Sequence, residues 1–348
     1  MGKSINILIA GVGGGSHGLE ILKALRLSDI NYHICGCDMT EQNVGFVKSD
    51  SSYVVPPAIS SDYIPQILEI CDKEKINVIF HGSDPDLLKI SEYREVFEKK
   101  GILVPLNNAE VISTCLDKKK TFEMNSKLGI KIPKTNSIEN KDDIELIDYF
   151  PVVVKPYVGG GGSNNTFIAQ DKDELEFFCN YILKYGGKPL VQEYIGSSDN
   201  EYTVGVLSGK DGKIISTTVL KRFITSGLSS RLKVKSVKDN RKTLHISSGI
   251  SQGQIEINDN ISQQCMNIAE KIGSTGPLNI QCRCVDDVVY LFEINPRFSG
   301  TTYMRALAGV NEPDIYIRKY LLNEEIGQIK PKKCVILRGL EEVCMSED

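Results

Sequence analysis

This 348-residue chain has no excess of positive charge, no long apolar run and no CxxC cysteine pair. Lysine and arginine number 41 against 45 aspartates and glutamates, a net charge of −4. That balance argues against a nucleic-acid partner held by a general basic field. No apolar run approaches the roughly 18 residues of a membrane span. The opening MGKSINILIAG lacks the cleavage pattern of a signal peptide, and its immediate entry into a strand argues against myristoylation of Gly2. A cytoplasmic protein without membrane contact is expected. The ten cysteines include two C-x-C pairs, Cys35/Cys37 and Cys282/Cys284, and the four histidines are scattered. A zinc site is not expected; buried free thiols in a reducing compartment are. Repeats and low-complexity linkers are also missing.

Apolar residues make up 41% and charged residues 25% of the chain, the balance of a globular protein with two or three domains. INILIA (5–10) reads as a strand, followed by the glycine cluster GVGGGSHG and an amphipathic helix. YHICGC, INVIFHGSD and ILVP read as further strands, separated by helical segments that include IPQILEICDKEK and DLLKISEYREVFEKKG. Alternating strands and helices predict a doubly wound parallel α/β sheet over about the first 108 residues. Asp117 is a candidate cap for a helix ending at Gly129. An extended piece (IPKTNSI) and an acidic helix (NKDDIELIDYF) follow. PVVVKPYVGGGGSNNTFIAQ then reads strand, glycine loop, strand, unlike the strand–loop–helix of a Walker P-loop. From Glu201 onward longer strands predominate, which predicts an α+β C-terminal part.

The most informative stretch is YLFEINPRFSG, preceded by GPLNIQCR. Glu293, Asn295 and Arg297 alternate at the end of a strand and so share one face. The carboxylate and amide offer oxygens to a hard cation such as Mg²⁺, and the guanidinium can clamp a phosphate or carboxylate. Gln281 adds a polar group on the neighbouring strand. Elsewhere the readings stay open. Gly13, Gly15 and Gly18 fit G-x-G-x-x-G, with Asp38 at the end of the next strand, as in a dinucleotide fingerprint. The same turn could hold a substrate carboxylate, or be purely structural. Lys155 ends a strand before four glycines, as a solvated strand end or as a phosphate partner. Lys118, in DKKKT, is either part of a solvated face or near an anion at the helix terminus. Glu193 is a surface acid or part of a hinge facing an adenine edge. Glu201 accepts from ribose hydroxyls or pairs with a lysine.

Taken in order, DKKKTFEMNSKLGIKIPKT, FPVVVKPYVGGGGSNN, LVQEYIGSSDNEYTV, GPLNIQCR and FEINPRFSG resemble the ATP-grasp superfamily, especially the group near the large subunit of carbamoyl phosphate synthase. The resemblance covers most of the chain. It implies a pre-ATP-grasp α/β domain (1–112), a central lobe with a glycine-rich lid (113–190) and a C-terminal lobe with the metal and nucleotide site (191–348). It implies that Lys118 and Lys155 are nucleotide-binding cations, and that Gly160, Gly161, Gly162 and Ser163 belong to the loop closing on the phosphates. Gln192, Glu193, Tyr194 and Ile195 correspond to the adenine hinge, and Glu201 to the residue near ribose. Gln281, Glu293 and Asn295 correspond to metal ligands for Mg²⁺, with Mn²⁺ as a substitute. Asn295 and Arg297 correspond to the groups at the transferred phosphoryl. Many relatives carry an acid in place of Gln281, and a neutral ligand weakens one metal site.

The activity implied is ATP-dependent activation of a carboxylate for attack by an amine, chemistry that needs positioning and charge neutralisation. A full carbamoyl phosphate synthase subunit carries two such modules, so that named activity is not expected. The rivals are an NAD(P)-linked oxidoreductase using the N-terminal turn and a non-catalytic ATP-binding regulatory protein. Expected partners are small-molecule carboxylates and amines, with a homodimer through the N-terminal sheet. Candidate substrate contacts are the 13–17 turn, the 81–84 strand exit, Arg222 and Arg231 in the 222–231 segment, and Arg305.

Overall fold

The computed structural model describes residues 4–13, 15, 17–157, 163–225 and 227–344. The first part alternates β1 (Ile5–Ala10), α1 (His17–Leu25), β2 (Tyr32–Asp38), α2 (Val44–Lys48), β3 (Ser51–Val54), α3 (Tyr63–Lys73), β4 (Val78–His81), α4 (Asp84–Glu92) and α5 (Arg94–Lys99). Its four strands pair in parallel in the order β3-β2-β1-β4. Parallel strands covered on both faces are apolar throughout, and β1 divides its side chains between two cores. Leu8 and Ala10 pack with Ile67, Leu87 and Phe97. Ile7 and Ile9 pack in a core that also holds Leu207, Phe298 and Tyr316 of the C-terminal part. Phe80 of β4 meets Phe298 edge to face, centroids 5.6 Å apart. This shared core brings the C-terminal ends of β1 and β4 up to the segment that carries Arg297.

Next come α6 (Ala109–Cys115), α7 (Lys118–Lys127), β5 (Thr135–Ser137), α8 (Lys141–Glu145), β6 (Val152–Pro156), β7 (Phe167–Ala169), α9 (Lys172–Lys184) and β8 (Pro189–Glu193). Asp117 caps α7 by accepting from the Lys120 N–H, as its position suggests. The four strands form an antiparallel sheet in the order β5-β8-β6-β7. The remainder comprises β9 (Glu201–Ser208), β10 (Ile214–Arg222), β11 (Ser230–Lys235), β12 (Thr243–Ser247), β13 (Gly253–Glu256), α10 (Asp259–Lys271), β14 (Pro277–Val285), β15 (Val288–Asn295), α11 (Thr302–Leu307), α12 (Glu312–Tyr320) and β16 (Cys334–Ile336). It forms a six-stranded sheet, β15-β14-β9-β10-β13-β16, and a two-stranded ribbon of β11 and β12. Among the described residues no helix is long and apolar enough to cross a membrane.

Four local expectations are corrected. The single helix over DLLKISEYREVFEKKG breaks at Tyr93, whose φ of −105° and ψ of 15° leave the helical region. The strand over ILVP is reduced to one bridge, Val78 to Leu103. The acidic helix stops at Glu145, and Ile144 and Ile147 turn into the core under β6 and α9. β8 belongs wholly to the central sheet, so the lobe boundary we propose lies after Glu193 and not at 190.

Candidate functional site

β14 and β15 pair antiparallel, with Asn279 opposite Asn295 and Gln281 opposite Glu293. The two-residue period puts all four on one face. Gln281 and Glu293 line both of the cavities that meet here, one of about 680 Å³ and one of about 90 Å³. Neither side chain has a hydrogen-bond or ion-pair partner among the described residues. An unengaged carboxylate beside an unengaged amide fits a hard divalent cation. Asn295, the third expected ligand, already accepts at its Oδ1 from Arg297 Nη2 at 3.1 Å. The sequence reading missed Asn279, two residues before Gln281 and legible by the same period. Its Oδ1 accepts from Arg305 Nη2 at 2.5 Å and from Thr203 Oγ1 at 2.7 Å. Its amide nitrogen has no partner among the described residues, and Asn279 lines the larger cavity.

Lys155, at the end of β6, is buried between the central and C-terminal sheets. Its Nζ donates to Gln192 Oε1 and to the Phe292 carbonyl, both at 3.1 Å. Burial lowers its pKa to about 7; Glu293 opposes that fall, and Lys118 adds to it. A lysine near half-protonation beside an unengaged carboxylate is poised for an anionic ligand. Lys118 opens α7, donates its N–H to the Tyr157 carbonyl at 3.0 Å, and lines both cavities. Gln192 also donates Nε2 to Thr135 Oγ1 at 3.1 Å. Its side chain is therefore engaged within the protein, bracing Lys155. Ser163 donates to the Ser247 carbonyl at 2.7 Å and lines both cavities. Gly160, Gly161 and Gly162 lie outside the described residues.

The smaller cavity is bounded by the chain leaving β8. The Glu193 and Tyr194 N–H groups donate to the carbonyls of Lys134 (2.8 Å) and Pro151 (3.1 Å). The Ile195 carbonyl accepts from Arg283 Nη1 at 2.9 Å, whereas the Ile195 N–H has no acceptor among the described residues. Tyr194 is held by its hydroxyl, which accepts from the His245 N–H at 2.9 Å, and by the Arg283 guanidinium 4.3 Å over its ring.

Glu201 requires a correction. Its carboxylate is buried between Arg222 (3.1 Å) and Arg283 (3.0 Å), two arginines in place of the single lysine considered as its partner. Burial alone would raise its pKa, but Arg283 and Arg222 outweigh burial and hold it below the ordinary value.

The N-terminal turn faces the larger cavity through Gly15 and His17. Asp38 is occupied, accepting from the Gly13 N–H at 2.7 Å and the Met39 N–H at 2.8 Å. A Cβ on Gly13 would lie 2.6 Å from that carboxylate, so the acid closes the turn where a dinucleotide ribose would need it. His17 and His81 meet edge to face at 5.4 Å. Both are held neutral, first by burial and then by the nearby Arg297 charge. Arg297 is braced across the cleft: Nε donates to Asp84 Oδ1 at 2.6 Å and Nη1 to the Phe298 carbonyl at 3.1 Å. Of the other candidate contacts, Arg222 and Arg231 line the larger cavity. Arg305 is fully buried, paired with Glu312 at 3.1 Å, and reaches the cavity only through Asn279.

With this geometry in view, the comparisons are consistent. Residues 188–343 match a family model described as ATP-grasp in the biosynthetic pathway with Ter operon, and residues 7–105 match a PylC-like N-terminal domain. The C-terminal part of the chain is thus similar to ATP-grasp proteins. The chain's relatives include the carbamoyl phosphate synthase large chains of Halomonas eurihalina and of Clostridium botulinum (strain Alaska E43 / Type E3). The first is 27% identical over 80% of this chain and 24% of that protein. The second is 28% identical over 85% and 26%. The chain thus spans about a quarter of the length of these relatives. Among solved structures, the L-amino acid ligase of Bacillus licheniformis superimposes with a TM-score of 0.66 at 16% identity, over 95% of this chain and 78% of that one. The N5-carboxyaminoimidazole ribonucleotide synthetase of Thermotoga maritima gives 0.64 at 17% identity, over 94% and 78%. The ATP-grasp fold is therefore the frame for this site.

Proposed function

We propose that the protein is an ATP- and Mg²⁺-dependent carboxylate–amine ligase. The observation that carries this reading is the juxtaposition at the meeting of the two cavities. Glu293 and Gln281 have no partner among the described residues, and Lys155 lies buried beside them. The smaller cavity, with an Ile195 N–H that has no acceptor among the described residues, suits an adenine edge; the larger suits the phosphates and the acceptor. A divalent ion held by Glu293 and Gln281 would neutralise charge on the phosphates when bound. Lys155 and Lys118 supply further positive charge, and Arg297, fixed by Asp84 and Asn295, presents its guanidinium at the boundary with the N-terminal turn. Asn279 offers an amide donor on the same face.

The step this arrangement favours is attack of a carboxylate oxygen on the γ-phosphorus, with ADP leaving. The amine then attacks the acyl carbon, phosphate departs and one proton is lost from nitrogen. The protein contributes position and preorganised charge. The test is ADP release measured over a matrix of carboxylates and amines, with the active carboxylate then labelled with ¹⁸O. Label appearing in the released phosphate supports the acyl phosphate route. ADP release without label transfer would refute it.

A further inference from the structure

One half of the larger cavity is not accounted for by the nucleotide and metal residues. Its wall includes residues 338–341, which follow β16. This segment crosses from the six-stranded sheet to the N-terminal helices. The Arg338 N–H donates to Gln252 Oε1 at 3.4 Å, and its Nη2 donates to the Gly300 carbonyl and to Glu20 Oε2 of α1, both at 2.7 Å. Glu341 pairs with Lys48 of α2 at 3.0 Å. Arg338 Nε and Nη1 have no partner among the described residues, and neither has the Arg231 guanidinium on the opposite ribbon.

The charge count in this half is uneven. Asp84 is matched by Arg297 and Glu341 by Lys48, whereas Glu20 faces two cations, Lys23 at 3.3 Å and Arg338. Arg231 faces none. Two positive charges therefore remain unmatched among the described residues of this wall, one on the half-buried Arg338 and one on the exposed Arg231, and an anion between them would gain from both.

Resting on the ligase reading, we propose that this half of the cavity binds a second anionic group, carboxylate or phosphate-like, on the substrate whose first carboxylate is activated, and that Arg231 and Arg338 hold it. The segment after β16 is then part of the substrate site.

The test uses the full chain saturated with Mg·AMP-PNP, so that the γ-phosphate position is filled. Acetate and propionate are titrated beside succinate, glutarate and 3-phosphonopropionate at constant ionic strength. Dianions should bind about tenfold or more tighter than monoanions, the scale of one added charge-assisted pair. Arg231→Ala and Arg338→Ala should abolish that preference, Arg338→Lys should restore part of it, and the remote Arg241→Ala should leave it intact. Preference for glutarate or for the phosphonate separates the two kinds of anion. Equal binding of mono- and dianions, or an undiminished preference in Arg231→Ala, overturns the proposal. Arg231 is exposed and has no partner among the described residues, so that variant is expected to fold as the wild type does. Mg·AMP-PNP affinity is measured first: its absence would sink the nucleotide reading, whereas its presence without dianion preference sinks only the anion site.

Discussion

Lys155 gives the sharpest quantitative prediction. Desolvation lowers its pKa to about 7 in the nucleotide-free protein. Triphosphate oxygens placed beside it would favour the charged form and return the pKa toward the ordinary value of about 10.4. At pH 8.5 the free protein then holds only a few per cent of that proton and the complex nearly all of it, so binding takes up about 0.9 proton. Nucleotide affinity should fall about tenfold per pH unit between roughly pH 7.5 and 9.5, a window above the second phosphate ionisation near pH 6. The stability sign is opposite. Because the folded pKa is depressed, the unfolded chain binds more protons from about pH 7 to 10.5, and the nucleotide-free protein gains stability as pH rises through that window. The assay is calorimetric titration of Mg·AMP-PNP in buffers of different ionisation enthalpy, at several pH values. Lys155→Met should bind more weakly and take up no proton. A pH-independent affinity, or the same proton uptake in Lys155→Met, would refute the reasoning.

Glu201→Ala leaves two guanidinium groups buried without their anion, and chemical denaturation should register a loss of about 3–5 kcal/mol. With its pKa held below the ordinary value, Glu201 contributes stability that is full at neutral pH. That contribution is lost as pH falls below about 4.3, which acid unfolding of wild type against Glu201→Gln would detect. Arg305→Met strands the buried Glu312 and frees Asn279, so stability and turnover should both drop; adding Glu312→Gln should recover stability but not turnover. Arg297→Lys keeps the charge but loses the fork held by Asp84 and Asn295, and should reduce kcat more than nucleotide affinity, read by ADP-release kinetics beside calorimetry.

Most of the parallel N-terminal sheet was legible because β1, β2 and β4 are largely buried and read as mainly apolar runs. The face shared by Glu293 and Asn295 was legible from the two-residue period, whereas Arg297, expected on the same strand face, lies beyond the end of β15, and the place of Gln281 opposite Glu293 depends on the β14–β15 register. What stayed hidden depends on contacts between distant segments. Nothing near Glu201 in sequence announces Arg222 and Arg283, which arrive from β10 and β14. Asp84 and Arg297 are brought together by Phe80 packing on Phe298. Asp38 fits a dinucleotide fingerprint in spacing, and only the folded turn reveals its carboxylate accepting from Gly13. β3 went unread because its four residues alternate between half-buried and exposed and lack an apolar run. The helix expected beyond Glu145 fails because Ile144 and Ile147 are drawn into a core that the local pattern does not encode.

The central claim is that nucleotide chemistry takes place between the central and C-terminal sheets and not at the N-terminal glycine turn. The most direct test places Glu293→Gln beside Asp38→Asn, with Mg·ATP affinity measured by calorimetry and turnover by ADP release. Glu293→Gln removes a strand-end carboxylate that has no partner among the described residues, so turnover should collapse while affinity falls modestly. Asp38→Asn should leave nucleotide affinity unchanged. Near-full turnover in Glu293→Gln together with lost nucleotide binding in Asp38→Asn would put the active site at the other end of the molecule.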